Sequence, residues 1–379
     1  MFFTKSKTKR ATGIIIVVIF CLFAVQEITY RQSQRRRDSK GAPTLVNPKQ
    51  RILVTKAPLE VIPAKNHTGQ HLNITSNSKT RSIPMYSDKV IGPLPYNFTL
   101  TNGHVCMQNA TSQRDVFLLI LVKCRPGGSS MRALIRKTWG GVRKVDGRQT
   151  LTMFLLGKTV NSTLNDKVAN ENRQHRDIIQ GNFVDSYLNL THKTMMGWRW
   201  ASKFCSGAEY VASADDDVLL NVHTIVRRLV SKIRNNYAEG FLQVGSKPYR
   251  GRSKWHTSLD LYPEPTYPPY FSGVCYVLSG DVAVKVYKES MHVRFLQWDD
   301  VYVGMVLNKL NVTMVHEPRY LRYKESYRAS EAAIDNGLAV LVGDERYHAW
   351  ASDAGHNARL LKIWEKVAQK HKARNYTRV

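Results

Sequence analysis

The sequence predicts an α/β domain built on a sheet covered on both faces. Val116–Val122 is an unbroken apolar run of strand length, as found in strands buried on both sides. Leu151–Leu156 is a second such run, and Glu209–Ser213 is a short strand leading into Asp215–Asp216–Asp217. Between them lie stretches of helical character, so the cadence is strand, helix, strand, helix, strand.

The 379 residues suffice for one large domain or two ordinary ones with appendages. From the N-terminus, Lys5, Lys7, Lys9 and Arg10 precede an apolar run, Gly13–Val25, that extends toward Ile28. The run is short beside the roughly 17–25 residues of a membrane helix, and its length also suits a signal-peptide core. Arg31, Arg35, Arg36 and Arg37 follow, so flanking charge does not settle orientation. An uncleaved signal anchor is expected over residues 11–30, with a cytosolic tail of residues 1–10. Asn-x-Ser/Thr sequons at Asn66, Asn73, Asn97, Asn109, Asn161, Asn189, Asn311 and Asn375 place the remainder in a lumen and are expected glycosylation sites.

Residues 31–110 read as a disordered stem, rich in basic, Pro, Asn, Ser and Thr residues and without a sustained hydrophobic period. Residues 111–379 are the expected catalytic domain. Its first strand is Val116–Val122. After Pro126, Gly127 and Gly128, a helix is expected over Met131–Trp139, with Ser129 or Ser130 as cap. Further helices are expected over Asp166–Arg176, Leu190–Phe204, Val222–Arg234, Val301–Leu310 and Ala358–Lys370, and a strand over Val274–Leu278.

Charge and cysteine content narrow the partners. There are 56 Lys+Arg against 29 Asp+Glu, a formal net charge of +27. That excess favours nucleic acid, acidic lipid or phosphorylated substrates without choosing among them. Cys21 lies in the apolar run. Cys106, Cys124, Cys205 and Cys275 match no zinc spacing and allow two bridges, in any of three connectivities.

Three consecutive carboxylates at a strand's end repel one another and raise one another's pKa. A divalent cation such as Mg²⁺ or Mn²⁺ removes that cost, and a metal there can grip a diphosphate. The competing reading is an acidic turn or helix N-terminus. Ligands of open α/β sheets bind at the carboxyl ends of strands, where this run sits. Arg132 and Arg136, four apart, share a helix face after a strand-end loop and suit a pyrophosphate or a solvated surface. Tyr267–Pro268–Pro269–Tyr270–Phe271–Ser272–Gly273 offers aromatic rings on a restricted backbone, as a wall for a sugar ring or a packed loop. Trp298–Asp299–Asp300 opens a helix, where the dipole keeps a carboxylate ionised and fit to act as a base, or where an Asp simply caps.

The order of these motifs resembles the β-1,3-glycosyltransferase family, which includes β-1,3-galactosyltransferases, β-1,3-N-acetylglucosaminyltransferases and, more distantly, Fringe. Arg132–Gly140, Phe154–Gly157, Asp177–Lys193 and Trp198–Cys205 match in sequence. Asp215–Val218 matches the family's metal-binding element, Tyr267–Tyr270 with Gly273 and Tyr276–Ser279 its acceptor-side loop, and Asp299–Gly304 its last acidic element. The resemblance implies a GT-A fold and an inverting transfer from a UDP-sugar to a glycan on glycoprotein or glycolipid. It implies Mn²⁺ held by Asp215 and Asp217, completed by a histidine near the C-terminus: His348, with His356 and His316 as alternatives. Arg132, Arg136, Asp185, Lys193, Asp215 and Asp216 would form the donor pocket. Tyr267, Tyr270, Gly273 and Trp298 would line the acceptor side, and Asp300, beside Asp299, would take the acceptor's proton. The chain departs from the family at Cys275, where many relatives have Gly, and at Phe271, where several galactosyltransferases have Cys, so the bridge pattern is expected to move to Cys205–Cys275. The resemblance fits a single-pass type II protein of the Golgi membrane with a luminal catalytic domain, and the sequons and acidic site argue against a nucleic-acid partner. A glycosidase, a basic nucleic-acid binder and a catalytically silent glycan-binding protein are the rival readings.

Overall fold

The computed structural model describes residues 84–92, 95–109, 112–320, 332–334, 337–342 and 354–376. The expected tail, anchor and most of the stem lie outside these residues, as do Asn66, Asn73 and His348. Among the described residues no helix is long and apolar enough to cross a membrane.

The strands are β1 (Phe98–Leu100), β2 (Leu118–Lys123), β3 (Lys144–Val145), β4 (Arg148–Lys158), β5 (Ile178–Val184), β6 (Tyr210–Asp215), β7 (Val218–Leu220), β8 (Tyr237–Gln243), β9 (Tyr270–Ser279), β10 (Thr313–His316) and β11 (Val340–Val342). The helices are α1 (Ser129–Lys137), α2 (Ser162–His175), α3 (Leu190–Phe204), α4 (Val222–Leu229), α5 (Gly280–Ser290), α6 (Asp299–Lys309) and α7 (Ala354–Tyr376). A nine-stranded mixed sheet runs β1-β5-β4-β2-β6-β9-β8-β10, with β3 hairpinned onto β4. Its centre, β5-β4-β2-β6, is parallel, and β9 is antiparallel to both β6 and β8.

Alternation along β2 divides the core. Leu118, Ile120 and Val122 enter one apolar cluster with α1, α4 and α7, whereas Leu119 and Leu121 enter another with α3, α5 and α6. Both faces are therefore covered, which is why β2 reads as a continuous apolar run. Helix α4 buries Val222, Ile225, Val226 and Leu229 along one stripe, and Asn221 caps it by accepting from the Thr224 N–H at 3.1 Å. Each large apolar side chain so buried contributes about 1.5–3 kcal/mol.

Helix α1 starts earlier than its apolar pattern suggests. Gly128 occupies its N-cap, so the two serines stand inside the helix rather than capping it. The end of the segment read as stem packs on the head: Tyr96 and Cys106 are buried, and β1 pairs with β5.

The bridge expected between Cys205 and Cys275 is not formed. Cys205 is bonded to Cys106, 99 residues away in sequence, and Cys124 and Cys275 are buried free thiols. The sheet itself forbids the expected pairing: Cys275 faces the first cluster and Cys205 the second. A smaller ribbon lies beside the main sheet, where β7 pairs antiparallel with β11 directly after the acidic run.

Candidate active site

Strands β2 and β6 end side by side, with Lys123 and Asp215 as register partners. Side chains at paired positions point to the same face, so the Lys123 ammonium meets the Asp215 carboxylate at 2.9 Å. The same ammonium donates to Asp299 Oδ2 at 2.9 Å and to the Gly273 carbonyl at 3.0 Å. Lys123 is buried. Burial opposes its charge, but Asp215 and Asp299 outweigh that and raise its pKa. Asp299 Oδ2 also accepts from Thr194 Oγ1 at 2.7 Å. Burial would lift the Asp299 pKa, and the Lys123 charge with these hydrogen bonds holds it below its ordinary value instead.

Two adjoining hollows open at this end of the sheet, with Lys123, Tyr187, Leu190 and Asp215 in the wall of each. The hollow on the β6 side, of about 550 Å³, carries Asp215, Asp216 and Asp217 together with Asp185 and Lys193. Lys193 is buried and donates to Asp185 Oδ1 at 2.9 Å and to the Cys124 carbonyl at 2.6 Å. Asp185 Oδ2 accepts from the Gly157 N–H at 2.6 Å, so this pair is fixed from both sides. Burial, Asp217 and Asp299 push Asp215 up to about 6 against the pull of Lys123. Burial and neighbouring carboxylates raise Asp216 and Asp217 as well.

Asp217 Oδ1 is buried and has no hydrogen-bond partner. An orphaned carboxylate oxygen beside two further carboxylates is the donor set that a hard divalent cation suits. No group of three or more His, Cys, Asp or Glu side chains is gathered as a metal cage among the described residues. The fit therefore rests on the Asp217 oxygen and on Asp215 across from it.

The second hollow, of about 430 Å³, holds Asp300 with Gly273, Tyr267, Tyr270 and Trp298. Helix α6 presents Asp299 and Asp300 in its first turn. Asp299 turns inward to Lys123. Asp300 accepts from its neighbour's backbone, the Val301 N–H, at 2.8 Å. Burial and the Asp299 charge push Asp300 up to about 7 despite that bond. A Cβ at Gly273 would lie 3.4 Å from Asp300 Cβ, an ordinary contact, so the β9 backbone runs directly against Asp300. Gly304 serves the same loop: a Cβ there would stand 2.4 Å from Tyr270 Cβ and 2.8 Å from the Pro269 carbonyl. The aromatic wall is tied together through Thr257, which bonds Trp298 Nε1 at 2.8 Å and the Tyr267 hydroxyl at 2.9 Å.

Most expected residues thus converge, but Arg132 and Arg136 do not reach either hollow. Arg132 is fully buried and grips Glu171 on α2 together with the Arg125 and Pro126 carbonyls. Arg136 bonds Glu171 and Asp177. The two guanidiniums do share a helix face, and that face is turned to Glu171 on α2 and to Asp177, between α2 and β5. His316, on β10, accepts from the Leu242 N–H and packs on Phe241, in the wall of neither hollow. His356 falls within α7. Of the sequons, Asn97, Asn109, Asn161 and Asn311 are exposed, Asn189 is half-buried, Asn161 caps α2, and Asn375 is in α7.

Lys123, Thr194, Thr257 and Trp255 were not singled out by sequence. Only Lys123 left a trace there, as a charged residue closing an apolar strand. Its partner Asp299 is 176 residues away, which no local pattern reports.

A galactosyltransferase family model matches residues 130–318, a span that includes both acidic elements. Human β-1,3-galactosyltransferase 1 is 36% identical over 270 residues, covering 70% of this chain and 81% of that protein. Human β-1,3-galactosyltransferase 2 is 33% identical over 310 residues, covering 78% and 69%. A solved mannosyltransferase of Pyrobaculum calidifontis, in complex with GDP-Man and Mn²⁺, aligns at a TM-score of 0.32 and 11% identity over 69% of this chain and 76% of that one, too low to carry an argument. Identity at this level over most of a relative's length, with the two acidic elements meeting at one cleft, makes the chain a member of the galactosyltransferase family and a hexose-transferring enzyme.

Proposed function

We propose that the chain moves galactose, or N-acetylglucosamine, from a UDP-sugar to the 3-hydroxyl of an acceptor sugar on a glycoprotein or glycolipid, with inversion. The observation that carries this reading is the pair of hollows sharing Lys123 and Asp215, one lined by the Asp215–Asp217 carboxylates and the other by Asp300. The first suits a nucleotide diphosphate, with Asp185 and Lys193 fixed in its wall. The second suits a sugar stacked on Tyr267, Tyr270 and Trp298, with its hydroxyl at Asp300.

Asp300 takes the proton as the acceptor oxygen attacks the anomeric carbon and the bond to UDP breaks. One displacement from the face opposite UDP gives the β-linkage. Asp299 keeps the turn that carries Asp300 anchored to Lys123. Asp215 and Asp217 would hold Mn²⁺, which when bound offsets negative charge gathering on the departing diphosphate. A pKa near 7 for Asp300 suits a base that must release its proton again at neutral pH.

The sequons and the N-terminal apolar run support a luminal, Golgi-membrane setting with the N-terminus in the cytosol. The test is transfer by the full-length chain from a panel of UDP-sugars, with and without Mn²⁺. Asp300→Asn is expected to lower transfer by at least about 100-fold, the lower end of the general-base range. UDP binding should survive that change. Transfer that persists in Asp300→Asn, or after chelation, would refute the corresponding assignment.

A further inference from the structure

The rim of the second hollow carries a charge pattern that the transfer reaction by itself does not require. The first part of the connection between β8 and β9, Val244–Leu259, contains Lys247, Arg250, Arg252 and Lys254 and no Asp or Glu, the carboxylates of the connection following at Asp260 and Glu264. Lys247, Tyr249 and Trp255 from this segment line the hollow that holds Asp300. Arg132, Arg136, Arg227, Arg228 and Arg319 are each paired with a carboxylate. Among the described residues the rim cations show no such pair. Arg250 donates to the backbone carbonyls of Thr257, Ser258, Tyr262 and Glu264, folding the segment back on itself. Lys254 lies over the Trp255 ring at 4.5 Å and the Tyr187 ring at 5.9 Å. Trp255 Nε1 in turn donates to the Tyr187 hydroxyl at 3.0 Å, spanning from the rim to the residue that walls both hollows.

Cations held by a stapled loop or by stacking, with no carboxylate partner among the described residues, leave their charge directed at a visitor. The hollow, about 430 Å³, has room for more than the sugar that reacts. The reacting hydroxyl has to sit at Asp300, where Asp299 and Asp215 share the single Lys123 ammonium, so carboxylates outnumber the cation at that end. An anionic group is repelled there and attracted at the Lys247–Lys254 rim. We propose that the natural acceptor is an acidic glycan, whose sugar next to the reacting one bears a carboxylate, sulfate or phosphate seated at Lys247 and Lys254. This rests on the transfer reaction proposed above and adds the class of acceptor.

The test uses the full-length chain and matched disaccharide acceptors that share one reacting sugar. Their second sugar is a neutral hexose, a uronic acid, a sulfated hexose or a phosphorylated hexose. At low ionic strength at least one acidic acceptor is expected to show about tenfold higher kcat/KM than the neutral one, and added salt to shrink that ratio. In the double variant Lys247→Gln, Lys254→Gln the ratio should fall close to one. Which acid leads identifies the source of the charge. Equal kcat/KM for neutral and all acidic acceptors in the unmodified chain would overturn the inference while leaving the transfer reaction intact. A preference that survives in the double variant would overturn the assignment to these lysines. Absence of transfer to every acceptor would overturn the reaction itself, and the acceptor class with it.

Discussion

Replacing Lys123 by Met removes an ammonium that touches both acidic elements. The side chain stays long and apolar, so its packing in the strand is preserved to first order. What changes is charge: Asp299, buried, loses the cation at 2.9 Å that keeps it ionised, and the Gly273 carbonyl loses its donor. Breaking a buried pair by removing one partner costs about 3–5 kcal/mol. The Asp215 side chain is 34% exposed, so water relieves part of its share and the low end applies. At roughly 2–4 °C per kcal/mol for a domain of this size, Tm should fall by about 10 °C. The pH dependence carries a definite sign. In the parent, Asp299 has a depressed pKa, so its stabilising contribution is present above the ordinary carboxylate pKa and is lost only as pH falls through the depressed value. At both pH 5 and pH 7.5 the parent keeps it. In the variant the carboxylates protonate on acidification and no longer sit buried and ionised. The loss of Tm should therefore be smaller at pH 5 than at pH 7.5, measured by thermal unfolding of both chains in parallel. A Tm within 2 °C of the parent, or equal losses at the two pH values, would refute this account of Lys123 (the interval is about 1 kcal/mol on the scale above).

The remaining predictions concern the base, the loop that faces it and the bridge. Asp300 has a pKa raised to about 7 and must be ionised to accept a proton, so kcat/KM should climb as pH rises through about 7; a flat profile between pH 5.5 and 8 would remove Asp300 from that role. Gly304→Ala places a methyl 2.4 Å from Tyr270 Cβ, and the overpacking should cost about 1–3 kcal/mol together with acceptor affinity, seen as a lower Tm and a higher KM for acceptor than for donor. Cys106→Ser opens a loop of 99 residues and should cost about 2–5 kcal/mol, whereas Cys275→Ser leaves the bridge intact; peptide mapping under non-reducing conditions distinguishes this pairing from any other.

Much of the frame was legible because its signals are local. The helix read over Leu190–Phe204 is α3 residue for residue, and Val116–Val122 overlaps β2 to within two residues at either end. The same holds for the acidic run and for Asp299–Asp300, whose spacing from turns and glycines marks them in one dimension. Strand β8 escaped notice because its sequence interrupts the apolar pattern with Glu239, which is fully buried and satisfied by Arg228, Tyr237 and Tyr320. A carboxylate paired with one arginine and hydrogen-bonded by two tyrosines, one of them 81 residues away, looks in the sequence like a surface residue. Arg132 and Arg136 failed in the other direction. Their spacing correctly put them on one face, but the nearest carboxylates, Glu171 and Asp177, claim them before any phosphate can. Cysteine pairing was beyond reach for a third reason: which side of a sheet each thiol occupies depends on register that only the assembled strands define.

The ribbon formed by β7 and β11 bears on where this enzyme ends. The match to the family model ends at residue 318, yet the strand leaving Asp217 is hydrogen-bonded to Val340–Val342, and the Asn221 N–H is bonded to the Ala339 carbonyl. A recombinant version trimmed at that residue would retain every acidic side chain discussed above. It would also leave the segment after the aspartate triplet with a bare edge, so the proposed donor hollow would lose a support supplied by the 61 residues beyond 318.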